Sequence, residues 1–429
     1  MKVKKLEINQ FRGINEMTLN FNDQVNVLVG VNGAGKSSIL DALVIMTSRL
    51  IGWIYSQRST GRHIPYNDIT NGVRESVLKI GVEFEGKNAD WVISRARRGV
   101  KRTTTSNTKQ AKDTADLILQ QFEKEENKSF PIIVYYSVHR SVPIIRLQHT
   151  KRSGDTQFDA YVDAFQLINN FNNFFSWFRT REDLENEAFR LIEGAGTARI
   201  VDVEYPDRQL ETVRKAVTAM MPGYSDIKVR RKQPLQMTIE KNGKLFRIDQ
   251  LSDGEKCLLA LVGDLARRMA IANPALSNPL EGEGVVLIDE IDLHLHPAWQ
   301  RMVIPNLTEI FANCQFIVST HSPQVLGHVK PENIFLLHET DEGIKYEKPE
   351  ASYGMSCDRI IEDLMGDIAR PEEIDKKLEN LFDFIERKEL KEAKRLLKDI
   401  IDIDEMKPNA EPELIRAKLR IDRLETLGK

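Results

Sequence analysis

The residues from Gly30 to Ser37, GVNGAGKS, have the spacing G-x-x-x-x-G-K-S. That spacing makes a phosphate cradle when a strand precedes it and a helix follows. Its glycines let the backbone curl so that N–H groups of Gly30, Asn32, Gly33, Ala34 and Gly35, and of Lys36, Ser37 and Ser38 at the helix start, can face the oxygens of a nucleotide's phosphates. Lys36 adds a point charge, and the Ser37 hydroxyl is an oxygen ligand suited to Mg²⁺. Far along the chain, the apolar run Val285-Val286-Leu287-Ile288 delivers Asp289 and Glu290 to a strand end. Asp289 can hold the metal of a metal–nucleotide complex there. Glu290 can orient or deprotonate an attacking water, because in-line hydrolysis needs an acceptor beyond the γ-phosphate. His321, in Ser319-Thr320-His321-Ser322-Pro323, ends another apolar run and faces the ligand crevice if the sheet is an open α/β one. Leu251-Ser252-Asp253-Gly254-Glu255 opens an amphipathic helix with an S-x-x-E capping box. The same helix start, with Ser252 and Gly254, also suits the γ-phosphate of a nucleotide held by another subunit. Taken singly, each pattern has a plain structural reading: a glycine turn, a buried strand ending in acids, a helix cap, a packed histidine.

These residues need a sheet to gather them. Leu6 and Ile8, then Met17, Leu19 and Phe21, then Val25, Val27 and Val29 alternate at period two and read as three strands, the third entering the glycine loop. A helix is expected from about Lys36 to Leu50. Residues 77–95 read as two more strands, 132–136 as another, 227–248 as strand-rich, and 285–289, 315–320 and 333–337 as strands. Helices are expected over 158–193, with Phe171, Phe174, Phe175 and Phe178 as a core stripe, and over 253–272 and 298–311. After Pro371 the chain is almost wholly charged and helical. Leu378, Leu381, Phe382 and Ile385 form one stripe there, Leu390, Ala393, Leu396, Leu397 and Ile400 another, and a last helix lies near 412–427.

Composition excludes several classes. The 429 residues are 41% hydrophobic and 29% charged, enough for a large core and outside the range of disordered chains. With 61 basic and 64 acidic residues the net charge is −3, so there is no globally basic nucleic-acid coat, although a local patch is allowed. Three scattered cysteines make neither a disulfide framework nor a zinc ribbon. No run of residues reads as a signal peptide or a membrane span, so the expectation is a soluble, cytoplasmic protein.

Taken in order, GVNGAGKS, LSDGE, VVLIDE and STHSP resemble the ABC-class ATPase heads of the SMC, RecF and OLD-like proteins. Phe11-Arg12-Gly13 resembles the N-terminal turn of that group, which makes Arg12 a candidate nucleotide contact. The resemblance covers 1–50 and 245–340. It implies an α/β fold: an ABC-type P-loop head with an antiparallel β-lobe, an inserted helical lid and a C-terminal helical appendage. The corresponding domains are 1–95, an insert at 96–245, the rest of the head at 246–350, and the appendage at 351–429. It further implies Mg²⁺-dependent ATP hydrolysis in a homo-oligomer, at least a dimer, with ATP sandwiched so that Ser252 and Gly254 of one subunit complete the site of the other. Lys36, Glu290 and His321 are then the catalytic group, and Ser37 and Asp289 the metal ligands. The glutamine loop of such heads has only the segment Tyr135 to Arg140 as a candidate. The interval between Ser37 and Ser252 is too short for a long coiled coil. Within this branch, DEIDLHLHPAWQ, CQFIVSTHSPQVL and YGMSCDRIIEDLMG are similar to the ATPase-subunit family of the Septu antiphage system. That similarity implies a separate HNH-type nuclease partner, PtuB-like. The alternatives are a RecF-like DNA-binding repair ATPase and an autonomous OLD-like nuclease.

Other constellations carry less. His294-Leu295-His296 lacks a third metal ligand. Asp402-Ile403-Asp404 spells D-x-D in a helical pattern, so it reads as a helix end and not as a nuclease centre. Residues 95–112 hold seven Lys/Arg and no acid, and read as an exposed loop that could track DNA, with Lys228 to Lys232 a second basic run.

Overall fold

The structure is a computed structural model that describes residues 1–56, 61–124, 128–140, 142, 156–166, 171–194, 204–232, 234–368, 370–403 and 412–427. It divides into two compact units, Met1–Met355 and Ser356–Lys429.

Period-two alternation produces the first hairpin, β1 (Lys2–Phe11) and β2 (Ile14–Asn20), which buries Leu6, Ile8, Met17 and Leu19. β3 (Val25–Val29) belongs to a different sheet and leads through the glycine loop into α1 (Lys36–Ser56). α1 continues past the expected Leu50. Its Lys36–Tyr55 window is long and apolar enough to cross a membrane by length and composition, which the sequence reading missed, but 67% of that window is buried inside the protein. β4 (Glu75–Phe84) and β5 (Lys87–Ala96) complete the antiparallel lobe in the order β2-β1-β4-β5. α2 (Lys109–Lys124) begins inside the basic run, where only a loop was expected. Its buried positions Ala111, Thr114, Ala115 and Ile118 have helical spacing, but three of the four are small or polar, so the apolar signal is weak.

β6 (Ile132–Tyr136) is followed by α3 (Asn172–Gly194) and α4 (Arg208–Met220). The helix expected from 158 starts only at Asn172. A short 3₁₀ turn occupies Gln157–Tyr161, and Asp163 and Phe171 have left-handed φ values of 59° and 54°, which no helix continues through. Phe174, Phe175 and Phe178 are buried, as their spacing predicts. β7 (Tyr224–Arg230), β8 (Gln236–Lys241) and β9 (Lys244–Arg247) make a small antiparallel sheet and are followed by α5 (Asp253–Ala272).

β10 (Gly284–Ile288), α6 (Pro297–Ile310), β11 (Cys314–Thr320), α7 (Pro323–Leu326), β12 (Ile334–Thr340) and β13 (Gly343–Glu347) complete the unit. The six-stranded sheet has the order β13-β12-β3-β11-β10-β6, with only β13 antiparallel. β3, β6, β10 and β11 are buried along their whole length, so they do not alternate; their composition is mainly apolar, with Asn26, Gln315, Ser319 and Thr320 as buried polar exceptions. Their carboxyl ends therefore deliver the loop at Gly30, the Tyr136–Arg140 segment, Asp289-Glu290 and His321 to one edge, where open α/β sheets bind ligands.

The second unit contains α8 (Cys357–Asp363), α9 (Glu372–Glu386), α10 (Leu390–Ile403) and α11 (Pro412–Leu427). Leu378, Leu381, Ile385, Ala393, Ile400, Leu414, Ala417 and Ile421 form its core, with Phe382, Leu396 and Leu397 packed against it. Asp402 is exposed near the end of α10, and Asp404 lies outside the described residues.

Candidate functional site

Lys36 is the first residue of α1, and its side chain is buried. Its ammonium turns back onto the loop, donating to the Gly30 carbonyl at 2.8 Å and the Val31 carbonyl at 3.1 Å. Burial lowers its pKa, while Asp289, Glu290 and Asp292 act in the opposite direction, which places this cation among the acids of the neighbouring strand end. Asn32, Gly33 and Ser37 are exposed, Gly35 and Ser38 half-buried, and Ala34 is buried with its amide donating to Val31. Gly30 has φ 156°, and a Cβ there would lie 2.5 Å from the Leu337 carbonyl of β12, so the loop can enter only as glycine.

Asp289 is 2% exposed, and its carboxylate accepts a hydrogen bond from the Ser319 hydroxyl. The same hydroxyl accepts from the Glu290 amide at 2.7 Å. Glu290 has a left-handed φ of 48°, a conformation that costs a non-glycine residue about 1–2 kcal/mol. The surrounding bonds hold it there. Arg140 donates to the carbonyls of Asp289 and Glu290 and, at 3.1 Å, to that of Ser137, and the Ile291 amide donates to Ser319 at 2.9 Å. Arg140 is 4% exposed. His321 is half-buried. Burial and then Lys36 lower its pKa, so its ring is neutral at pH 7, with Asp292, Glu290 and Asp289 as the opposing charges. Lys36, Asp289, Glu290 and His321 are thus gathered at one edge. The sequence marks neither the role of Ser319 nor that of Arg140: Ser319 lies inside its motif without one, and Arg140 only ends the Tyr135–Arg140 segment offered for the glutamine loop.

Three sequence candidates sit differently. Arg12 is tied to Asp41 at 2.7 Å and to Asp68 at 3.1 Å, so its guanidinium is already paired within its own chain. Ser252 caps α5, its hydroxyl accepting from the Glu255 amide at 3.3 Å and its amide donating back to the Glu255 carboxylate at 2.8 Å. Tyr224 and Lys241 also donate to that carboxylate. Gly254 is buried: a Cβ there would fall 2.1 Å from the His294 carbonyl, so close packing inside the chain already requires the glycine. Ser252 and Asp253 are exposed beside it. Among the described residues, no hydrogen bond or ion pair joins Ser252 or Gly254 to Lys36, Asp289, Glu290 or His321. His296 caps α6 by accepting from Ala298 at 3.2 Å.

The AAA_21 family, described as "AAA domain, putative AbiEii toxin, Type IV TA system", matches residues 25–327, from β3 past His321. The chain belongs to this family. It is 29% identical over 424 residues to an Escherichia coli protein named "Retron Ec83 probable ATPase", covering 87% of this chain and 78% of that one. It is 24% identical over 384 residues to the Septu protein PtuA of Bacillus thuringiensis, covering 85% of this chain and 84% of that one. An SMC head domain from Thermotoga maritima aligns with a TM-score of 0.43 at 16% identity, covering 82% of this chain and 100% of that one. This AAA_21 member is an ATPase related to PtuA.

The donor set fits Mg²⁺. Ser37 presents an exposed hydroxyl, and Asp289 a carboxylate anchored by Ser319. Among the described residues no group of three or more His, Cys, Asp or Glu is placed to hold an ion. Mg²⁺ bound with a nucleotide needs none, because phosphates and waters complete its octahedron.

Proposed function

We propose that the chain hydrolyses ATP with Mg²⁺ at the interface between two copies, and that this cycle governs a partner nuclease in antiphage defence. The observation that carries the chemistry is the gathering of Lys36, Asp289, Glu290 and His321 at one sheet edge, with Glu290 held in a left-handed conformation. The loop amides and Lys36 bind the β- and γ-phosphates, and Ser37 and Asp289 hold the metal, which when bound neutralises charge on the transferring phosphoryl group. Glu290 accepts the proton of the attacking water, and His321, neutral at pH 7, hydrogen-bonds the γ-phosphate or that water. The capped start of α5 supports a role across subunits: Ser252 and Asp253 are exposed and bonded to nothing in the site of their own chain. Ser252 would meet the γ-phosphate of the other copy, with Gly254 beneath it allowing the close approach. Kinship with PtuA supports the defence reading, with an HNH-type nuclease as the partner.

Glu290→Gln tests the chemistry. It should bind ATP as the wild type does and hydrolyse it at least 100-fold more slowly, the usual range for loss of a general base. Turnover near the wild-type rate would remove Glu290 from its role. Affinity capture of the chain expressed from its own locus tests the partner: a stoichiometric HNH-type protein is expected, and a homo-oligomer without companion would contradict the defence reading.

A further inference from the structure

The basic run after β5 is folded back onto the lobe. The Glu75 carboxylate accepts from Thr103 and Thr104, Asn107 pairs with Val92, and the Ser94 amide donates to Ser106 at 2.9 Å. Arg97 is taken up by the carbonyls of Ile69, Thr70 and Val73. Arg95 and Arg102 instead line a cavity of about 420 Å³, together with Arg49 of α1 and with His63 and Tyr66 from the segment before β4. Arg49 lies thirteen residues along α1 from Lys36, about 20 Å at 1.5 Å per residue, so this cavity is separate from the P-loop.

Its electrostatics are one-sided. Three guanidiniums and an imidazole line it, and among the described residues no carboxylate does. Among the described residues Arg49, Arg95 and Arg102 form no ion pair, whereas Arg12, Arg214, Arg231, Arg267 and Arg268 are each held by acids. The Arg49 Nε is buried without a hydrogen-bond partner, although its terminal nitrogen meets His63 Nδ1 at 3.0 Å. The Arg95 guanidinium lies 3.8 Å from the centre of the Tyr66 ring, with Arg98 at 5.5 Å, and this stacking fixes Arg95 at the cavity wall. Cations gathered without a counter-charge repel one another, and an arriving anion relieves that repulsion. Guanidinium forks and the hydroxyls of Ser106 and Thr108 suit the oxygens of a phosphate.

The surroundings favour a polymer over a single anion. Exposed Arg98 and Lys101 continue from the cavity along the loop, and Lys109 and Lys112 follow on α2. Neither 57–67 nor 95–112 contains an acid. We propose that the cavity receives one backbone phosphate of a nucleic-acid strand that runs along this basic segment. The proposal is independent of the ATPase reading.

Fluorescence anisotropy of the full chain with labelled single-stranded DNA and RNA oligonucleotides, over a range of salt, tests it. The wild type should bind with a steep salt dependence. Arg95→Ala combined with Arg102→Ala should weaken binding roughly tenfold and reduce the slope of log K against log salt by about two, one per cation removed. ATP hydrolysis without nucleic acid should be unchanged and reports that the variant is folded. Arg102→Ala alone, on an exposed loop, serves if the pair does not fold, with a slope change of about one. Three outcomes would overturn the proposal: no oligonucleotide binding by the wild type, an unchanged slope in the variants, or competition by inorganic phosphate or AMP as tight as that by the oligonucleotide. The last would reassign the cavity to a small free phosphate.

Discussion

Arg140 should be indispensable to the rate of hydrolysis although the account gives it no contact with nucleotide. Its guanidinium, buried behind the strand end, donates to the carbonyls of Ser137, Asp289 and Glu290. Lysine at this position keeps the charge but carries a single ammonium in place of a planar fork, so it cannot hold both acid-bearing carbonyls in the same geometry. At least one charge-assisted hydrogen bond is lost, about 1.5–3 kcal/mol, and the left-handed Glu290 gains about 1–2 kcal/mol by relaxing. If the lost bond alone raises the barrier, kcat falls about ten- to 150-fold at 1.36 kcal/mol per decade. Alanine, with no donor, should fall further. The assay is steady-state phosphate release with saturating ATP and Mg²⁺, alongside binding of a fluorescent ATP analogue. Because Arg140 orients Glu290 and holds no phosphate, affinity should stay within about twofold while kcat drops. A folded Arg140→Lys enzyme with wild-type kcat, or one that loses affinity and rate together, would refute this positioning role.

Other consequences are open to test. Gly254→Ala places a methyl 2.1 Å from the His294 carbonyl and should destabilise the chain by about 1–3 kcal/mol in urea unfolding; an unchanged midpoint would show that the glycine is free of packing. Asp264 is buried between Arg267 and Arg268 and accepts from the Tyr136 hydroxyl at 2.9 Å. Asp264→Asn strips two buried cations of their partner and should cost about 3–5 kcal/mol by the same assay, whereas a loss under 1 kcal/mol would contradict the pairing. For Glu255, burial acts upward, but hydrogen bonds from Lys241, Tyr224 and Ser252 prevail and hold its pKa at about 2. A depressed carboxylate contributes stability above its unfolded pKa and loses it as pH falls through the folded one, so the stability gap between wild type and Glu255→Gln should be constant above pH 5 and narrow between about 4.5 and 2. A gap that widens on acidification would reverse the sign.

What could be read from sequence follows from how local the responsible physics is. The P-loop and the Asp289-Glu290 strand end were legible because glycine spacing and an apolar run ending in acids are contiguous patterns. The last helix was legible at Pro412–Leu427 because a surface helix writes its packing into its own periodicity. α2 was lost because Ala111, Thr114 and Ala115 bury a helix face with little apolar contrast. Arg12 is legible in sequence as a candidate nucleotide contact, and its pairing with Asp41 and Asp68 is not, because those partners come from segments that only the tertiary fold brings together. The same holds for Arg140, whose three acceptors come from two chain segments. For Gly254 the signature motif is legible in the sequence, and the close packing against the His294 carbonyl that also requires a glycine is not.

The account stands most directly on the claim that two copies build each ATP site. Ser252→Arg and Lys36→Ala should each hydrolyse little ATP alone. A mixed dimer carries one site with both changes and one with neither. Mixing equal amounts should therefore restore about a quarter of the wild-type rate, since half the dimers are mixed and half their sites intact. Recovery near that value supports a shared site; mixtures that stay as inactive as either variant, although the subunits demonstrably exchange, would contradict it.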